Sequence, residues 1–199
     1  MEQHKAARRY KYRPKGTMAT PPGVTFLCDS NEMASTHLGY DLEPRRVKKL
    51  HVGDYSVETP EGLSLEEVIV IERKSLVNLL GDTCGENRDR WQRCLARLAQ
   101  VRYPALVVEA SWHDLLQGGY SHTRLDPRAA TGSLLAWSMR FGVPVWLVGT
   151  RAEGMELTRR LLVKAAIEHA EGAQIGRDPR RELVTHDDPT GGLPPAVGG

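Results

Sequence analysis

Hydrophobic positions along this chain follow two periods. Continuous apolar runs at Val24 to Cys28 (VTFLC), Val68 to Ile71 (VIVI), Pro104 to Ala110 (PALVVEA) and Val143 to Thr150 (VPVWLVGT) predict buried strands. The stretch from Arg45 to Val52 (RRVKKLHV) is β-like with basic residues and stops at Gly53-Asp54. YSVET and LEEVIVIERK flank the turn sequence PEG, which predicts a hairpin. Ser75 is placed to cap a short helix over Leu76 to Leu80. Trp91, Leu95 and Leu98 stand at helical spacing and predict a helix from Glu86 to Val101, with arginines on its other faces. Further helices are expected in SWHDLLQ after a Ser cap, from near Pro127, and from Glu153 to Glu171, the last with an apolar stripe of Leu157, Leu161, Leu162, Ala165 and Ala166. Helices alternating with apolar strands predict an α/β fold: a central mixed sheet flanked by helices, after an antiparallel start.

The periodic part is bounded at both ends. Lys5, Arg8, Arg9, Lys11, Arg13 and Lys15 make residues 1–22 a basic arm, suited either to a phosphate backbone or to free solvation. Residues 171–199 mix Gly, Pro and charge without period and predict a disordered tail, which leaves 23–170 as the folded domain. No apolar run approaches the roughly 20 residues of a membrane span, and no signal-peptide core opens the chain. Three cysteines, Cys28, Cys84 and Cys94, without a CxxC pair argue against a disulfide framework and fit a reducing cytoplasm. The histidines show no HxH or HxxxH pair, so a histidine metal site is not expected.

The chemistry lies where predicted strands stop. VIVI runs directly into Glu72, Arg73 and Lys74, and a strand interior rarely accepts unpaired charge. Either the strand emerges into water there, or the charges meet a metal ion or a phosphate. Asp29, Asp54 and Glu72 each stand at the end of a predicted strand, where open α/β sheets commonly bind ligands. Strand alternation puts Glu72 and Lys74 on one face and Arg73 on the other. Hard oxygen ligands suit magnesium, with manganese able to substitute, and a lysine beside them would orient an attacking water or help remove its proton. Taken alone, a glutamate two residues before a lysine is a common feature of exposed strand ends.

GDY at Gly53 to Tyr55, VIVIERKS at Val68 to Ser75 and the following LVNLLG resemble the nuclease domain of the XPF family of structure-specific endonucleases. The likeness continues through NRDRWQRCLARL, ALVVEAS ending near Glu109, and LLAWSMRFGVPVWLVGT. The resemblance implies a restriction-endonuclease-like core and divalent-metal-dependent cleavage of DNA; branched or flapped DNA is the leading substrate, with a junction resolvase or a restriction-type duplex cutter as alternatives of the same chemistry. Carried over by position, it implies Asp54 and Glu72 as metal ligands, Lys74 serving the attacking water, Asp29 at the first strand, and Arg73 supporting the site or the DNA backbone. Arg88 and Gln92, four apart on a helix, are the implied DNA contacts, joined by Lys11 and Arg13 of the arm.

Two positions depart from the family pattern. Asn31 stands where D-x-R-E has arginine, and Asn78 where an aspartate follows E-R-K-S. Neither removes an expected ligand, so activity is expected; the alternative is a non-catalytic DNA-binding partner that keeps the nuclease fold. Glu109 reads either as support for the site or as a strand-end carboxylate paired with a lysine. Trp112, Trp137 and Trp146 read as core. The tail has no room for helix-hairpin-helix modules, which suggests a compact stand-alone form of bacterial or viral type. A homodimer is expected, with a seam in Gly142 to Ala170 drawn from Trp146, Leu157, Leu161, Leu162 and Ala166.

Overall fold

A computed structural model describes residues 19–34, 39–83, 85–117 and 126–170. The expected arm through residue 18, with Lys11 and Arg13, and the expected tail from 171 lie outside the described residues. Twelve elements follow in chain order: β1 (Thr25–Asp29), α1 (Ser30–Ala34), β2 (Arg45–Lys48), β3 (Tyr55–Glu58), β4 (Ile69–Ser75), α2 (Leu76–Gly81), α3 (Gly85–Leu98), β5 (Tyr103–Glu109), α4 (Trp112–Gln117), α5 (Pro127–Phe141), β6 (Val145–Leu147) and α6 (Arg151–Ala170).

The strands form one six-stranded mixed sheet in the order β2-β1-β3-β4-β5-β6. β3 is antiparallel to both β1 and β4, while β2 runs parallel to β1, and β5 and β6 continue parallel from β4. The predicted hairpin joins β3 and β4: Gly62 N–H bonds Thr59 O and Thr59 N–H bonds Leu63 O around Pro60, Glu61 and Gly62. Local caps settle the helix starts. Ser75 accepts from Asn78 N–H, Asp126 accepts from Arg128 N–H ahead of Pro127, and Ser111 and Asp114 bond reciprocally in a capping box.

Strand alternation then builds two cores. Phe26, Cys28, Tyr55, Val57, Ile71 and Val107 face α6 with Leu162, Val163, Ala165 and Ala166. Val70, Leu106 and Val108 face the other side with Trp91, Leu95, Leu98, Leu134 and Trp137. Trp137 is fully buried in the second core, its ring edge-on to Trp91 at 6.4 Å.

The C-terminal region differs from expectation in two respects. The run from Val143 to Thr150 is not a fully buried strand: β6 has three residues, lies at the sheet edge and leaves Trp146 44% exposed. Trp112 is likewise exposed, because α4 covers the sheet with Leu115 and turns Trp112 outward. Conversely, part of the stripe proposed as a dimer seam is taken up by the fold itself. Leu162 and Ala166 are buried under the sheet, and Leu157 and Leu161 pack against the same core.

α6 can approach this closely because of Gly154. A Cβ there would lie 2.2 Å from the hydroxyl of Tyr40, which is itself fully buried. Gly154→Ala gains about 1 kcal/mol of helix propensity but forces α6 and the Tyr40 ring apart, an overpacking cost of about 1–3 kcal/mol. The variant is expected to unfold at lower urea concentration than the wild-type chain; an unchanged or higher midpoint would refute the close approach.

Candidate active site

Gly53 brings the acidic residues together. Its φ of +71° is open to glycine, and a Cβ would sit 2.1 Å from Val70 Cγ1. The chain therefore crosses directly over β4, and Asp54 N–H donates to Ile71 O at 2.9 Å. Tyr55 pairs with Ile71, so Asp54 lies across from Glu72. Asp54 Oδ2 accepts from Arg73 N–H at 2.7 Å, and Asp54 O accepts from Asp29 N–H at 2.8 Å.

Alternation along β4 then sorts the charged triplet as expected. Glu72 and Lys74 share a face, with Nζ 3.3 Å from Glu72 Oε1. Nζ also stands 3.1 Å from Asp82 Oδ2 and 4.2 Å over the Trp91 ring. Arg73 points to the opposite face and is buried. Its Nε and Nη2 donate to Glu109 at 2.8 and 2.7 Å, and its Nη1 donates to Glu32 at 3.0 Å. Of its two implied roles, support of the site is the one this position allows. Glu109 is paired with Arg73, and at 3.8 Å with Arg151, so its partner is not a lysine.

The electrostatics of the two faces differ. Burial, then Glu72 and Glu32, hold the Asp54 carboxyl well above the usual carboxylate range. Burial raises Glu72 as well, against the lowering effect of Lys74. For Lys74, burial favours loss of the proton, but Glu72 and Asp82 outweigh it and hold the ammonium above its ordinary value. Burial, then the charge of Glu72, pushes the Cys94 thiol up to about 11, so it stands beside the site as a neutral thiol and not as a nucleophile.

Several expected site residues are placed elsewhere. Asp29 does not join Asp54 and Glu72. Its Oδ2 accepts from Leu50 N–H at 2.8 Å and Lys49 Nζ at 3.0 Å, and its Oδ1 accepts from Asn31 N–H at 2.8 Å. Burial alone would raise its carboxyl, but these bonds outweigh burial and hold it below the usual carboxylate range. Asp29 thus anchors the loop leading to Gly53. Arg88 and Gln92, the expected DNA contacts, also link α3 to α5. Arg88 donates to Ser133 Oγ at 2.8 Å and lies 5.1 Å over Trp137, and Gln92 accepts from Arg140 at 2.9 Å. Asn78 contributes its backbone N–H to the Ser75 cap while its side chain is exposed.

Sequence reasoning missed Asp82 and the Trp91 face over Lys74. Asp82 stands eight residues beyond Lys74 and reaches it only because α2 is short and ends beside β4. Trp91 carries the helical spacing of a core residue, which it also is. Beside the site, a groove of about 880 Å³ runs past Val52 and Val70 between His51, Arg97, Gln100 and Arg102, with Glu66 and Glu67 on its wall.

Among the described residues no group of three or more His, Cys, Asp or Glu side chains converges as a metal centre. The donor set nevertheless fits a hard cation: two carboxylates side by side, both disfavoured as anions by burial. Magnesium is commonly held by one or two carboxylates, with waters and substrate phosphate completing its shell. The raised carboxyls also set a stability test. A carboxyl whose folded-state value is raised is fully tolerated below its unfolded value near 4, and stability is lost as pH rises through the folded value. Metal-free Asp54→Asn is therefore expected to melt above the wild-type chain at pH 7, by about 2–4 °C for each kcal/mol relieved. The difference should close as pH falls toward 4. A variant that melts lower at pH 7 would contradict the electrostatic assignment.

Comparison with known proteins agrees with this architecture. The ERCC4 domain family matches residues 29–161, from the last residue of β1 into α6. A search of curated proteins gave no significant match. Among solved structures, XPF from Aeropyrum pernix in complex with DNA superposes with a TM-score of 0.51 at 17% identity, covering 73% of this chain and 66% of that one. A second structure of XPF from Aeropyrum pernix gives a TM-score of 0.49 at 19% identity, covering 73% and 65%. This chain thus spans just under two thirds of those proteins. With the family match extending over two thirds of its own length and the sheet shared with the archaeal structure, the chain belongs to the ERCC4 domain family and has the restriction-endonuclease-like fold of an XPF-type nuclease domain.

Proposed function

We propose that this chain is a divalent-metal-dependent DNA endonuclease acting on branched or flapped DNA. The observation that carries the reading is the Asp54-Glu72 pair, two carboxylates facing one another across β3 and β4, disfavoured as anions by burial and set beside an ammonium. Asp54 and Glu72 would hold magnesium, or manganese in its place; such an ion stabilises charge developing on the phosphoryl oxygens.

The chain's own groups account for the rest. Lys74 is held as an ammonium, so it serves as a hydrogen-bond donor that orients the attacking water or a phosphate oxygen, and not as a base. Arg73 stiffens the end of β4 from behind through Glu109 and Glu32. Arg97 and Arg102 on the wall of the neighbouring groove offer cations to a phosphate backbone. That the archaeal XPF was determined in complex with DNA supports DNA as the substrate here.

Cleavage of duplex, flap, fork and four-way DNA with magnesium or manganese, against an EDTA control, tests the reading. Glu72→Gln and Asp54→Asn are expected to abolish cleavage while leaving the fold intact. Lys74→Ala should slow it by about a hundredfold or more, the scale of one lost charge-stabilising donor. Wild-type rates in either carboxylate variant would remove the site assignment. An inert wild-type chain that still binds DNA would favour the non-catalytic partner.

A homodimer belongs to the same proposal, with a seam drawn from exposed apolar residues. With Leu162 and Ala166 of α6 buried, the apolar surface open to a second copy among the described residues includes Trp112 and Leu116 of α4, Leu135 and Met139 of α5, and Trp146 on the β6 edge. Met139 is 86% exposed, so Met139→Asp leaves the core untouched. Light scattering at micromolar concentration is expected to give a dimer for the wild type and a monomer for this variant. A wild-type monomer of 22.1 kDa that still cuts would remove the dimer and keep the site.

A further inference from the structure

Lys74 is held by a carboxylate outside the Glu-Arg-Lys triplet. The Asp82 side chain is 9% exposed and directs Oδ2 at Nζ from 3.1 Å. That oxygen is buried and has no aligned hydrogen bond, so the contact is an ion pair. The end of α2 does not need this side chain, because the cap is made by the Asp82 backbone N–H on Asn78 O and Leu79 O. A carboxylate buried without a partner costs several kcal/mol, and Lys74 is the cation facing this one.

We propose that Asp82 is the positioning residue for the Lys74 ammonium, dividing it between two carboxylates over the Trp91 face. The inference rests on the reading of Glu72 and Lys74 as the cleavage centre. An ammonium has three N–H donors on a flexible stem. With Glu72 as its one acidic partner, it would close to a charge-assisted contact of about 2.8 Å and occupy the oxygen that a cation requires. Asp82, 3.1 Å from Nζ, gives the ammonium a second acidic partner beside Glu72 at 3.3 Å. Lys74 is thereby shared with Asp82 and does not close on Glu72 alone, which leaves the Asp54-Glu72 pair to a divalent cation.

The test is a double-mutant cycle in the full chain with Asp82→Asn, Lys74→Ala and the pair, read by thermal unfolding without metal and by cleavage kinetics. Asp82→Asn keeps the size of the side chain and the backbone cap. It is expected to lower kcat by about 10–100-fold, the usual cost of removing a partner behind a site residue, with KM for DNA unchanged and partial rescue by Asp82→Glu. In the Lys74→Ala background it should cost no more activity, and the unfolding shifts of the two single variants should exceed that of the pair when added. Equal rate losses in both backgrounds, or additive unfolding shifts, would overturn the inference. If the wild-type chain cleaves no substrate, the nuclease reading fails, and the unfolding cycle alone decides whether Asp82 holds Lys74.

Discussion

The close crossing of Gly53 over β4 is the constraint on which the rest of the site depends. A side chain at this position would strike Val70, so the Gly-Asp turn could not seat Asp54 beside Glu72. Three backbone-directed bonds then lock the crossing: Asp54 N–H to Ile71 O, Arg73 N–H to Asp54 Oδ2, and Asp29 N–H to Asp54 O. Two carboxylates are thereby held together by main-chain geometry, which does not relax when they repel. Asp29 secures the approach from the other end through Leu50 and Lys49.

The sheet separates two opposed electrostatic tasks. On the α6 face, Arg73 is matched by Glu109 and Glu32 and lies 5.4 Å over Tyr40, a buried guanidinium satisfied on all sides. Such a network is rigid, and removing one partner would strand the others. On the α3 face, charge is left out of balance, with burial working against Asp54 and Glu72 as anions. Burial thus opposes charge on one side of β4, while ion pairs satisfy it on the other.

The helices on the α3 face show how the scaffold constrains this site. Trp91 packs edge-on to Trp137 in the core while its ring face lies under Lys74. Arg88 and Gln92 tie α3 to α5 through Ser133 and Arg140. The position of the ammonium is therefore coupled to helix packing, and the arginine and glutamine that mark the helix in sequence work first as braces.

What the sequence determined by itself was local. The two-residue period of β4 assigned Glu72 and Lys74 to one face and Arg73 to the other, because alternation is a property of extended backbone. Ser75, Ser111 and Asp126-Pro127 marked helix starts, since capping bonds span three residues or fewer. Pro60, Glu61 and Gly62 marked the hairpin, and the family motif identified Asp54 and Glu72 as a pair. The tertiary structure alone decided what meets what across the chain. It turned Asp29 toward Leu50 and Lys49, brought Asp82 to Lys74, spent Arg88 and Gln92 on α5, buried Leu162 and Ala166, and left Trp146 at an open edge. Each of these depends on which distant segment arrives beside a residue. Side-chain type sets what a group can bind, but only packing sets what lies within its reach.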